Sequence, residues 1–153
     1  MNAWAACGAA LLAFGMVPVI WGVAAGSLAR RLLAQNTGST VVALTFLLLA
    51  QGYGRPSYVD LSLVVGLLGP VGTLVCVRLL ADDLADGAPR GSSVVTGTCV
   101  IASVSVTVAV CAATAPGRSL VKLLLIGALV AVGNVVAARS LTVGVVAKGD
   151  AAR

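Results

Sequence analysis

Apolar and polar positions alternate in long blocks along this chain, and five blocks are apolar enough to predict membrane-spanning helices. The first runs from about Ala3 to Ala29 without a charge before Arg30. It lacks a basic leading region and exceeds the ~7–15 apolar residues of a secretory leader, so it reads as a permanent span. Pro18 lies inside it and should kink the helix, because proline removes a backbone hydrogen bond. The second block is the weakest, strongly apolar only from Val41 to Ala50 within a stretch from Thr40 to Gly54. A spanning helix needs roughly 17–25 residues. This one either starts earlier, within Asn36-Thr37-Gly38-Ser39, or is a short helix buried among its neighbours. Tyr58 to Ala81 gives the third span, Ser92 to Ala115 the fourth and Arg118 to about Leu141 the fifth, with Lys122 able to snorkel to the interface. A mildly apolar tail then ends in Lys148, Asp150 and Arg153.

The predicted fold is therefore all-α, a polytopic transmembrane protein of about five spans. Its clearest polar connection, Asp82-Asp83-Leu84-Ala85-Asp86-Gly87-Ala88-Pro89-Arg90-Gly91, divides it into segments 1–82 and 83–153. With the N-terminus outside, Arg30, Arg31, Arg78, Arg90, Arg139, Lys148 and Arg153 face the cytoplasm. Only Arg55, Arg118 and Lys122 then lie outside, so the positive-inside bias predicts an N-out, C-in chain.

Composition strengthens the membrane reading and removes several functions. Hydrophobic residues make up 59 %, charged residues 10 %, and mean hydropathy is +1.08. A soluble domain carries about 25 % charged residues. The net charge of +5 comes from basic groups at the ends of apolar runs, where they set topology, and sparse aromatics offer no stacking surface, so no nucleic-acid partner is expected. The chain has no Glu and no His, which removes most acid–base and metal-dependent hydrolytic chemistry; neither an enzyme nor a cofactor or metal is expected. Cys7, Cys76, Cys99 and Cys111 form no C-x-x-C pair and read as small buried apolar groups.

Few polar side chains remain as candidates. Asp60 opens the third span, and an ionisable group beside an apolar run is a functional candidate by default. Its ordinary alternative is a helix N-terminal residue stabilised by the helix dipole and water. Ser93, Thr96, Ser103 and Thr107 fall near one side of the fourth span, either bonding back to helix carbonyls or lining a path for ions or water. Gly66, Gly69 and Gly72 repeat every three residues in the third span, and Gly127 and Gly133 are further small sites in the fifth. Small residues let helices approach where lipid supplies no hydrophobic drive between them, so these are the expected packing positions.

Two stretches carry a family resemblance. Arg31-Leu32-Leu33, Thr40-Val41-Val42-Ala43-Leu44-Thr45 and Tyr58-Val59-Asp60-Leu61-Ser62-Leu63-Val64 through Leu67-Leu68-Gly69-Pro70-Val71-Gly72-Thr73-Leu74 resemble the F subunit of multisubunit (Mrp-type) monovalent cation/proton antiporters. The match covers roughly residues 20 to 82 and is most specific in the third span. That small three-helix subunit opens its second helix with R-V-V-A-L-D and closes a motif of its third with L-L-G-F-V-G-T. Ser119-Leu120-Val121-Lys122-Leu123-Leu124-Leu125-Ile126 and Asn134-Val135-Val136-Ala137-Ala138-Arg139-Ser140-Leu141 are similar to the last helix of the G subunit, so the chain looks like an F subunit fused to a shortened G subunit.

Departures accompany the matches. Thr45 stands where the family has Asp, Ser39-Thr40 where it has Asp-Arg, and Pro70 where it has Phe; in the G-like part Val135 replaces Pro and Arg139 replaces His. Of the family's membrane acids only Asp60 is present. The resemblance implies an accessory subunit of a plasma-membrane Na+/proton antiporter of prokaryotic type, with other antiporter subunits as partners and monovalent cations and protons as cargo. Asp60 becomes the ion-path candidate, with Thr45 joining Ser93, Thr96, Ser103 and Thr107 as polar lining. The alternatives are a structural or regulatory membrane protein without transport, or a stand-alone small transporter, which would want an acid in mid-span and an inverted repeat.

Overall fold

The computed structural model describes residues 2–24, 27–80, 92–114 and 117–151, with the backbone alone at 92–93, 118–119 and 141–151. Its five helices are α1 (Ala3–Ala24), α2 (Leu28–Tyr53), α3 (Ser57–Leu79), α4 (Ser92–Ala113) and α5 (Arg118–Ala151). All five are long and apolar enough to cross a membrane.

The second span departs most from expectation. α2 is a full helix of 26 residues, because the polar stretch Gln35-Asn36-Thr37-Gly38-Ser39-Thr40 continues it instead of preceding it. It is the least apolar of the five yet the most enclosed: 67 % of its spanning window is buried, against 33 % at most in the others. Lipid tails solvate apolar side chains as well as a protein core does, so burial goes first to helices whose polar groups need protein partners. Hydroxyls help the helix tolerate its polar run, with Thr37 donating to the Leu33 carbonyl at 2.9 Å and Thr40 to the Asn36 carbonyl at 3.1 Å. The other boundaries also move. α1 stops at Ala24, short of Ala29, and α5 runs through the expected tail to Ala151. The polar connection 82–91 lies outside the described residues.

Neighbouring helices are placed by close contacts. α1 lies antiparallel on α2: a Cβ added at Gly8 would meet Leu48, one at Gly15 Val41, and one at Gly22 Ala34. α3 returns along α2 after Gly54, whose φ of 62° caps the α2 C-terminus in the left-handed region that glycine enters without strain. The Ser62 hydroxyl then donates across the pair to the Ala43 carbonyl at 2.7 Å. α5 runs parallel to α3, with Gly66 against Val130 and Gly133 against Pro70. α4 runs antiparallel to α5, where Gly127 faces the Thr107 side chain. Leu44, Leu47, Leu48, Val110, Leu123, Ile126 and Val130 form the main core between α2, α4 and α5.

The outer surface is apolar. Phe14 and Trp21 on α1, Leu68 on α3, Ile101 on α4 and Leu125 on α5 are all more than half exposed. Such a continuous apolar exterior fits a lipid or protein-partner environment and not water. One end of the bundle gathers the end of α1, the start of α2, the end of α3 and the start of α4. The other gathers Tyr53, Ser57, Ala113 and Arg118.

Candidate functional site

Asp60 lies in the first turn of α3, at the end of the bundle where α5 begins. The parallel course of α3 and α5 brings Lys122 beside it, with Nζ 3.5 Å from Oδ1, and both side chains are about two-thirds exposed. An ion pair this open is screened and contributes little to folding. Both groups are open to exchange with water. The fold thus joins two residues 62 positions apart, giving Lys122 a partner beyond the interface to which its side chain can snorkel. Phe46 and Tyr53 flank Tyr58 at the same end, each ring centroid 6.2 Å from that of Tyr58. Aromatic rings of this kind suit the headgroup level of a bilayer.

The hydroxyl candidates are held by their own helices. Thr45 donates to the Val41 carbonyl at 2.8 Å, Ser103 to the Cys99 carbonyl at 2.7 Å and Thr107 to the Ser103 carbonyl at 2.7 Å, and all three residues are buried. Each oxygen keeps acceptor capacity after donating. Thr96 is half-buried, and the Ser93 side chain lies outside the described residues. Two of the three α3 glycines are close-packed: a Cβ at Gly66 would sit 2.9 Å from Val130, and one at Gly69 2.7 Å from Ser39. At Gly72 an added Cβ meets no described residue within 4 Å.

A second polar feature, deeper in the bundle, was not anticipated. The Asn36 Nδ2 group on α2 donates to Asn134 Oδ1 on α5 at 2.6 Å, and the Thr40 hydroxyl reaches the same oxygen at 3.1 Å. Asn36 and Asn134 are only 2 % and 3 % exposed. The pairing leaves Asn36 Oδ1 and Asn134 Nδ2 without a hydrogen-bond partner. A buried amide atom without a partner is costly, so this neutral cluster is a polar point inside an apolar interface. In the sequence Asn36 lies at a possible helix start, and Asn134 enters only through the family resemblance. The available signal was Asn134 itself, an amide in mid-span whose alternative to an interhelical partner is hydrocarbon.

Within the span windows of the described helices Asp60 is the carboxylate, Asp150 lying near the end of α5 beyond its window, and no group of His, Cys, Asp or Glu among the described residues could hold a metal ion. The chemistry available is therefore electrostatic at one end and neutral hydrogen bonding inside.

No curated protein and no solved structure matches the chain. A family model does: residues 29–81, about a third of the sequence, match Multiple resistance and pH regulation protein F (MrpF / PhaF). The matched segment comprises α2, α3 and the start of the connection that follows. It contains Asp60, Asn36 and the packed glycines of α3, and over this length the chain is similar to the F subunit of a multiple resistance and pH regulation antiporter.

Proposed function

We propose that the chain is an accessory membrane subunit of a multisubunit monovalent cation (Na+)/proton antiporter in a prokaryotic plasma membrane. The observation that carries this reading is the family match across α2 and α3, the most buried helix and the helix that bears Asp60. Apolar exposed faces on α1, α3, α4 and α5 support it, because they suit packing against other membrane subunits. In this reading α4 and α5 stand in for a shortened G-like segment, which their close packing on α2 and α3 makes sterically reasonable. The seven-to-three distribution of basic residues supports N-out, C-in insertion. Asp60 and Lys122 would then lie at the outer mouth of a cation path, with Thr45, Ser103 and Thr107 as lining hydroxyls.

The chain would not drive exchange by itself. Antiport needs groups that load and release protons within the membrane, and the described spans offer one exposed, paired carboxylate. That scarcity also favours a second reading, a structural or regulatory membrane protein of the same descent with no transport role. Tagging the chain in native membranes and identifying what co-purifies separates the two. Recovery of large antiporter subunits in fixed proportion supports the proposal; recovery of the chain alone, or with unrelated partners, overturns it.

A further inference from the structure

We propose that a groove between α1, α2 and α4 binds an anionic phospholipid, with an acyl chain along its apolar floor and the phosphate on Arg30. The groove has a volume of about 830 Å³, within the range of sites that enclose small amphiphilic ligands. Val17 and Trp21 form its α1 wall, Leu33 its base on α2 and Val95 its α4 wall. The lining is mostly apolar, and among the described residues its charged member is Arg30.

Arg30 stands at the mouth because of where it falls in the sequence. It is the third residue of α2, at the bundle end where α1 finishes and α4 starts. No described residue forms an ion pair with it, and its side chain is exposed. A guanidinium presents planar paired donors that match phosphate oxygens. The N-terminus of α2 adds to this. It has no acidic residue in its first turn, and Ser27 makes no side-chain cap bond there, so nothing within the helix itself offsets the positive end of its dipole.

Depth decides between a lipid chain and a partner helix. From Arg30 to Thr37 is seven residues, about 10 Å along the helix axis. One leaflet of the hydrocarbon core is about 15 Å deep. The deepest described lining residues are Thr37 of α2 and Cys99 of α4, whose Sγ lies 3.8 Å from Thr37 Oγ1, with Val19 of α1 beside Gly38. A transmembrane helix continues through both leaflets, whereas the described lining of this groove extends over only one. An acyl chain descending from a headgroup ends within one leaflet. Lipid tails are as apolar as the groove, so selectivity must come from the headgroup pairing and not from hydrophobic transfer.

This inference concerns how the chain sits in a bilayer and does not depend on the antiporter reading. It is tested by native mass spectrometry of the full chain in mild detergent, with phosphatidylglycerol or phosphatidylcholine added at equal concentration. Retention of phosphatidylglycerol at least five-fold above phosphatidylcholine is expected. Arg30→Gln should abolish that preference, with the helical circular dichroism unchanged. Thr98→Trp, placed on the groove wall with Arg30 intact, should reduce retention of both lipids. Equal retention of the two lipids by the unaltered chain overturns the proposal, as does undiminished preference in Arg30→Gln. In membranes, Thr98→Cys crosslinking in high yield to another protein would show a polypeptide in the groove and also overturn it.

Discussion

Asn36 and Asn134 meet at a buried contact 2.6 Å long, and neither residue has a second amide-group partner across the interface. Interhelical hydrogen bonds in bilayers average about 0.6 kcal/mol and reach about 1.7 kcal/mol. Asn134→Leu should therefore destabilise the fold by about that range, since Asn36 is left fully unpaired. Asn36→Leu with Asn134→Leu should recover most of the loss, because neither polar group remains. Equilibrium unfolding in mixed detergent micelles measures both; a double variant weaker than either single one would show that the pair contributes more than its hydrogen bond. Asp60 has the opposite profile. Its pair with Lys122 is exposed, so Asp60→Asn should leave stability and assembly unchanged while lowering cation-dependent proton movement in the assembled complex. Normal exchange would reduce Asp60 to a helix-end residue, and lost assembly would make it an intersubunit contact.

At the scale of elements, glycine positions give a contrast within one helix. Gly69 lies against Ser39 of α2, whereas Gly72, one turn on, meets no described residue. Gly69→Leu should disrupt the α2–α3 pair and lower the yield of folded chain by well over half, while Gly72→Leu should fold normally. Size-exclusion recovery of the two variants in detergent distinguishes them. If Gly72→Leu nevertheless fails to join the complex, that face meets a partner subunit. The same contrast shows what could be read from sequence. Five spans were legible because about twenty apolar residues leave few alternatives to a membrane helix. The true extent of α2 was not, because its polar residues from Gln35 to Thr40 look like a boundary until α5 supplies Asn134 as a partner. The regular spacing of Gly66, Gly69 and Gly72 was visible, yet only contacts between helices reveal which of the three is enclosed. Asp60 was legible as the isolated acid; its partner Lys122, 62 positions away, was not, because the parallel register of α3 and α5 is a tertiary fact.

At the scale of the molecule, neutral polar groups such as Asn36, Thr40 and Asn134 are buried while many apolar side chains lie on the outside, with α2 as the hub that the other helices cover. Basic residues favour Arg30, Arg31, Arg78 and Arg139 on one side, so a reporter fused after Arg153 should be active in the cytoplasm and one before Ala3 outside. The reverse pattern would place Asp60 and Lys122 at the cytoplasmic mouth. A chain with one exposed acid in its described spans should act only within a larger assembly. The most direct measurement of that claim is Na+-dependent proton exchange in everted membrane vesicles, comparing the chain alone, the large antiporter subunits alone, and both together. Exchange is expected only when both are present, and robust exchange by the chain alone, or full exchange by the large subunits without it, would contradict an accessory-subunit role.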